Sequence, residues 1–298
     1  SDAPNAKPNA TDTVEKGESL WVGAWHRLRK NKMALAGGVF ILLLAGLSFM
    51  GPFFLEGDYY TNTVLKDKLT APGAEYTLGT DHLGRDQLGR IIKGGQISLL
   101  VGLVATFVSL TIGIGYGTIS GYFGGKIDSV MMRLVDILYS LPFVIFVILL
   151  MVFAKDLGDS IDEWFRARGS EFSISGQWNM LLLFVAIGAV EWLTMARIVR
   201  GQVMSLRRQE FIEACISLGL PTRRILFRHM VPNILGPVIV YTTLTIPAVM
   251  LLEAFLSFLG LGLRPPAISW GVLLQEAQNL QSIALAPWLL LPGLAVII

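Results

Sequence analysis

Four predominantly apolar stretches stand out among those that run for eighteen residues or more without a charged side chain: 33–55, 97–123, 137–154 and 231–252. About 18 consecutive apolar residues are what a helix needs to cross the hydrocarbon core of a bilayer. In that medium each backbone N–H and C=O must find its partner within the helix itself. A fifth run, 179–196, is interrupted by Glu191, and a sixth opens near Ile283 and reaches Ile298 before it is long enough to cross. The expectation is an all-α, polytopic membrane protein with six transmembrane helices, the sixth truncated. Charge content agrees, since 15% of residues are charged and 53% hydrophobic, against about 25% charged in soluble domains.

The distribution of charge sets an orientation. With the N-terminus cytoplasmic, the inner segments 23–32, 124–133 and 197–228 hold 13 Lys/Arg in 52 residues, and the outer segments 56–96, 155–178 and 264–282 hold nine in 84. The positive-inside rule therefore selects a cytoplasmic N-terminus, and both termini are expected there once the sixth helix is complete. Residues 1–17 are polar and read as a disordered tail. In 18–32, Leu20, Trp21, Ala24, Trp25 and Leu28 recur at helical spacing among Arg27, Arg29, Lys30 and Lys32, which predicts an amphipathic helix on the inner leaflet. The first span, 33–55, follows it, with no cleavable signal ahead. Next come an outer segment, 56–96, and a core, 97–298, with spans near 97–123, 129–154, 179–203, 231–262 and from 283.

Two spans carry further information. Gly113, Gly117, Gly121 and Gly125 recur at strict four-residue steps, a smooth stripe that lets another helix backbone approach closely. Pro232, Pro237 and Pro247 each remove a ladder hydrogen bond in the 231–252 span, so that helix is expected to be bent and buried in protein.

Several functions are excluded. A net charge of +2 is too small to argue for nucleic acid. The run Ser120-Gly121-Tyr122-Phe123-Gly124-Gly125-Lys126-Ile127 lacks the first glycine and the hydroxyl of a phosphate loop, so no cofactor site is expected in this chain. His26, His82 and His229 lie far apart outside the spans, a poor metal or acid–base cluster. Cys215, the lone cysteine, cannot form an internal disulfide. No enzyme is expected.

The segment between the last two long runs has a different grammar. Residues 207–218 are helix-compatible, Gly219 suits a left-handed end position, Pro221 blocks continuation, and Thr222 can cap a second short helix, 223–230, that Pro232 closes. Such an elbow presents Glu213 on one arm and Arg223, Arg224 and Arg228 on the other. A basic loop held by anionic lipid would explain the arginines but not the Glu–Gly–Pro spacing.

Glu213, Ala214, Gly219 and Pro232 resemble the EAA loop of bacterial ABC importer permeases; Cys215, His229 and Val231 depart from its usual residues. Leu78-Gly79-Thr80-Asp81-His82-Leu83-Gly84-Arg85-Asp86 is similar to the L-G-T-D-x-x-G-R-D signature of the C-type permeases of peptide importers. Stretches 94–99, 121–128, 195–201 and 256–262 fit the same family, and the likeness runs from about Trp21 to the end. It is nearest to the oligopeptide permease C subunits, with dipeptide permeases behind them. The resemblance implies the MetI-like, type I permease fold with a cytoplasmic coupling helix, in the bacterial inner membrane, with 56–96 periplasmic. It implies a second permease subunit, one or two ATPase subunits that hold ATP and Mg, and an extracytoplasmic peptide-binding protein. Glu213 would pair with a basic residue of the ATPase, with Ala214, Gly219, Arg223 and Arg224 forming the rest of the coupling surface. The outer segment 155–177 is longer than the family pattern.

Some readings stay open. The 79–86 loop is either a turn whose Asp and Arg residues pair internally or a docking surface for the binding protein. Asp136 is expected to pair with Arg133. Glu191 and Glu253 either meet the amino end of a passing peptide or clamp helices together, since a lone carboxylate at bilayer depth costs about 2.5–3.5 kcal/mol. Rival functions are the same architecture carrying a nickel chelate or glutathione, and a self-contained ion-coupled carrier.

Overall fold

The computed structural model describes residues 29–54, 60–169, 175–263, 267–278 and 284–297. The expected tail and most of the amphipathic helix, with His26, lie outside the described residues. The chain divides into two compact units, Ser1–Gly46 and Leu47–Ile298. Every regular element among the described residues is helical. Helix α1 (Lys32–Phe54) starts where Asn31 caps it, its side-chain oxygen accepting the Ala34 N–H at 3.2 Å. The remainder of the fold belongs to the second unit.

Helix α2 (Gln87–Phe123) begins ten residues before the expected start of the second span. Asp86 caps it, accepting from the N–H groups of Leu88 (3.3 Å) and Gly89 (3.0 Å). Arg90 and Lys93 had marked this stretch as outer loop, yet Arg90 is 1% exposed because two carboxylates neutralise it. Helix α3 (Gly125–Ser140) and α4 (Phe143–Arg166) were expected as one span. They meet at 91° instead. Leu141 precedes Pro142 and is held extended (φ −76°, ψ 131°), the conformation that proline imposes on its predecessor. Helix α4 continues to Arg166, so the long outer segment opens as helix.

Helix α5 (Ser175–Arg207) makes the most extensive helix–helix contact of the fold, with α2. Glycine makes the approach possible. A Cβ at Gly113 would lie 2.5 Å from Met195 Cγ, one at Gly117 2.5 Å from the Ala196 carbonyl oxygen, and one at Gly121 2.8 Å from that of Arg200. Gly125 leaves the stripe: it meets nothing within 4 Å and has φ +55°, because with Gly124 (φ +63°) it forms the corner where α2 ends and α3 begins. Among the described residues Asp136 pairs with Arg197 of α5 at 2.7 Å, not with Arg133; the guanidinium also stacks over Tyr139, 4.1 Å from the ring centre.

After α5 come the short helices α6 (Glu210–Ser217) and α7 (Thr222–Arg224). A π-helical turn, Ile225–Met230, then runs without a break into α8 (Val231–Phe258). Two expectations fail here. Pro221 caps α7 and Thr222 is already helical, with no side-chain cap bond. Pro232 does not close a helix. It sits just after the π-helical turn inside a continuous helix, where its missing N–H leaves the ladder one bond short, and Asn233 Nδ2 donates to the His229 carbonyl at 2.6 Å. Nor is α8 buried within this chain, since Leu235, Ile239, Val240, Leu244 and Leu251 are all exposed. Helix α9 (Trp270–Ala277), a 3-10 turn (Pro287–Leu290) and α10 (Leu291–Ile297) complete the fold.

Of the six expected spans, four described helices are long and apolar enough to cross a membrane, five if the bent α3–α4 pair counts as one. The run Pro287–Ile297 is shorter.

Candidate functional site

The elbow between α5 and α8 is built from residues that face opposite ways. Ile212, Ile225, Leu226 and Met230 are buried against Met195, Val199, Val203 and Leu206 of α5, burial worth about 1.5–3 kcal/mol per large side chain. Their neighbours point outward. Glu213, Ala214, Gly219, Arg223 and Arg224 are all exposed, as are the apolar Phe211, Ile216, Phe227 and Leu218, the last at 77%.

The corner itself is a Schellman turn. Gly219, at φ +72°, donates its N–H to the Ile216 carbonyl (2.9 Å), and Leu220 donates to that of Cys215 (3.2 Å), the paired bonds that end a helix at a left-handed residue. Cys215 and Leu220 both pack on the same buried cluster. Among the described residues Glu213, Arg223 and Arg224 have no ion-pair partner. The elbow is thus a fixed knob, apolar at its centre and charged at its edges, available to a complementary surface.

At the other end of α2, residues 79–86 form a closed network. Asp81 is 1% exposed and accepts from the N–H groups of Leu83 (2.8 Å) and Arg85 (3.0 Å), from Arg85 Nε (2.7 Å) and from Arg90 Nη1 (2.5 Å). Glu276 of α9 accepts from Arg90 Nη1 (2.7 Å) and Nη2 (3.0 Å). Burial raises the Asp81 pKa, but the Arg90 charge, the N–H groups of Arg85 and Leu83 and the Arg85 charge outweigh it and hold the carboxyl below its ordinary range. Both glycines are obligatory. Gly79 and Gly84 have φ +73°, and a Cβ at Gly84 would stand 1.9 Å from the Val64 carbonyl oxygen. Trp288 closes the loop, its Nε1 donating to the Thr80 carbonyl at 3.0 Å. This is the internally paired geometry of the two readings offered for the loop.

The carboxylates at span depth differ. Glu253 of α8 is 0% exposed. It accepts from Ser257 and Ser269 at 2.7 Å and from Ser98 at 3.4 Å, which joins α2, α8 and the start of α9. That is the arrangement of a helix clamp. Glu191 of α5 is half-buried and has no ion-pair partner among the described residues. One constellation escaped the sequence reading altogether: Asp128 of α3 accepts from Ser120 of α2 (2.5 Å) and, bidentately, from Arg200 Nε and Nη2 of α5 (2.5 Å each). Asp128 and Arg200 stand in two of the family-like stretches, which was the available signal; their spacing of 72 residues hid the pairing.

Residues 113–298 match the family described as binding-protein-dependent transport system inner membrane component, and residues 19–72 match the N-terminal transmembrane domain of oligopeptide transport permease C. The oligopeptide transport system permease protein OppC of Escherichia coli K12 is 46% identical over 286 residues, covering 95% of this chain and 86% of that protein. The OppC of Haemophilus influenzae is 43% identical over 278 residues, 93% of this chain and 81% of its own. The dipeptide transport system permease protein DppC of Bacillus subtilis is 39% identical over 271 residues, 91% and 78%. Among solved structures, an inward-facing form of the MetNI methionine ABC transporter aligns with 70% of this chain and 94% of its own at 16% identity, with a TM-score of 0.46.

Proposed function

From the premise that the chain belongs to the binding-protein-dependent transport inner membrane components, and within them to the oligopeptide permease C family, we propose that it forms half of a peptide pathway whose motion is driven through the elbow. A second permease supplies the other half. ATPase subunits, which hold ATP and Mg, receive the elbow on the cytoplasmic face, where the basic segments and the N-terminus lie. A peptide-binding protein delivers cargo on the opposite face, at which residues 79–86 stand.

The observation that carries this reading is the elbow's two-sidedness. Four buried side chains fix it to α5 and α8, while Glu213, Arg223 and Arg224 project with no ion-pair partner among the described residues. A charge left idle on one protein is what a charge-complementary interface needs. Glu253, enclosed by three serines, supports the clamp and offers nothing to a passing ion.

The test is reconstitution with the partner permease, the ATPases and the binding protein in liposomes. Glu213→Lys replaces an attraction by a repulsion, and the docking loss of about 2 kcal/mol or more corresponds to roughly 30-fold weaker association. Gly219→Val forces a β-branched residue to φ +72°, at about 1–3 kcal/mol. Both variants are expected to insert normally and to lose peptide uptake together with stimulated ATP hydrolysis. Unchanged uptake and hydrolysis in both would overturn the coupling role. Uphill transport by this chain alone would favour the self-contained carrier.

A further inference from the structure

Helix α5 changes character at Glu191. From there toward the elbow, Glu191, Thr194, Ile198, Gly201, Gln202 and Ser205 recur every three or four residues and so share one face. Each is exposed or half-buried, while Met195, Val199, Val203 and Leu206 on the packed side are buried. Ile198 is the one large apolar side chain of that stripe. The exposed face of α8 is the reverse, with Leu235, Ile239, Val240, Leu244 and Leu251. Resting on the peptide-pathway reading above, we propose that this stripe is the pathway wall of this subunit and that Glu191 receives the amino terminus of the passing peptide.

The flank of the stripe shows what it can face. Arg197 pairs there with Asp136 of α3 at 2.7 Å, yet the two side chains stay 42% and 67% exposed. Lipid contact at span depth costs about 2.5–3.5 kcal/mol per charge, and enclosure by a second protein would strip water from both ions. Water is the medium that suits an ion pair left so open. Gly201 agrees, since a Cβ there meets nothing within 4 Å.

Charge then selects the group that binds. Asp136 and Arg197 cancel, which leaves Glu191, half-buried within the apolar run 179–196 and without an ion-pair partner among the described residues. Its surroundings are neutral hydroxyls. Thr194 shares a hydrogen bond with Tyr139 of α3, and Tyr241 of α8 lies beside both Thr194 and Glu191. Side chains vary from one peptide to the next, but a free amino terminus is a cation on all of them at neutral pH. A partly dehydrated carboxylate among hydroxyl oxygens complements an ammonium group, which it meets by charge-assisted hydrogen bonding.

The test is thiol chemistry on the complex of this chain with its partner subunits in nanodiscs, where both faces are open to reagent. Charged methanethiosulfonates are applied to Thr194→Cys, Gly201→Cys and Leu103→Cys, the last on the apolar side of α2 at a residue 50% exposed. Modification at each position is read by mass spectrometry. The two stripe positions are expected to react at least about tenfold faster than position 103, because a charged reagent is excluded from lipid. Thr194 lies one turn from Glu191, so Glu191→Gln should lower the ratio of cationic to anionic reagent rates there about tenfold. Trialanine should halve labelling of Thr194→Cys at a concentration roughly tenfold below that of N-acetyl-trialanine, the worth of one charge-assisted contact. Glu191→Gln should erase that difference. Stripe positions no more reactive than position 103 would overturn the pathway wall. Equal half-protection by the two peptides, or protection by neither, would overturn the amino-end contact. None of these readouts passes through the elbow, so they fail separately from the uptake and hydrolysis that test the coupling role.

Discussion

Arg90→Met is expected to destabilise the protein by about 3–5 kcal/mol, the cost of removing one partner from a buried ion pair. The side chain is 1% exposed and serves two carboxylates from two directions, Asp81 at 2.5 Å and Glu276 at 2.7 Å. Methionine keeps the length and the apolar stem but leaves Asp81 to Arg85 alone. A thermal unfolding midpoint in detergent indistinguishable from wild type would contradict this. The double variant Asp81→Leu with Arg90→Met should recover part of the loss, because replacing both partners removes the stranded charge. The same network sets a pH dependence. The Asp81 pKa is lowered from an ordinary 3.8, so its contribution is fully present above that value. It is lost as pH falls through the lower folded value. The Arg90→Met variant should lose less stability than wild type over that acid range.

A second large effect is expected from two glycines separated by a single residue. Gly117→Leu drives a side chain into the Ala196 carbonyl oxygen, already 2.5 Å from the position of a Cβ, and a helix backbone cannot step aside as a side chain tip can. Overpacking costs about 1–3 kcal/mol where neighbours yield, and here α2 must separate from α5. The expected result is chain that fails to assemble and is degraded in the membrane. Gly115→Leu, on the open side of the same helix, should accumulate as wild type does. Equal assembly of the two would show that the close approach of α2 to α5 is dispensable.

Much of the architecture was legible because membrane insertion writes itself locally. Uncharged runs and the bias of Lys and Arg mark spans and loops with no knowledge of tertiary contacts, and the left-handed glycine at 219 was readable from its neighbours. What failed depended on distant partners. Arg90 looked like loop because charge is the signal for loop, and only Asp81 and Glu276, the latter 186 residues away, make it acceptable in a helix. Asp136 seemed tied to Arg133 by spacing, but α5 brings Arg197 closer. The bend at Leu141–Pro142 was lost inside an apolar run, since hydropathy is blind to backbone direction. Gly125 fitted the four-residue rhythm and yet belongs to a corner. Of the elbow, the sequence showed the shape and the charges; which side chains are sunk into α5 needed the fold.

The π-turn at Ile225–Met230 has a mechanical corollary. Because no loop separates the elbow from α8, residues Thr222–Phe258 are one unbroken helix of 37 residues, about 55 Å long. A push on the elbow of the kind proposed above would reach α8 with no loop in between. The ladder lacks a rung at Pro232, then at Pro237 and Pro247. Pro232 stands ten steps, about 15 Å, from Thr222 and Pro237 fifteen, about 22 Å, so the points where this strut can flex lie beyond the elbow and not at the corner itself.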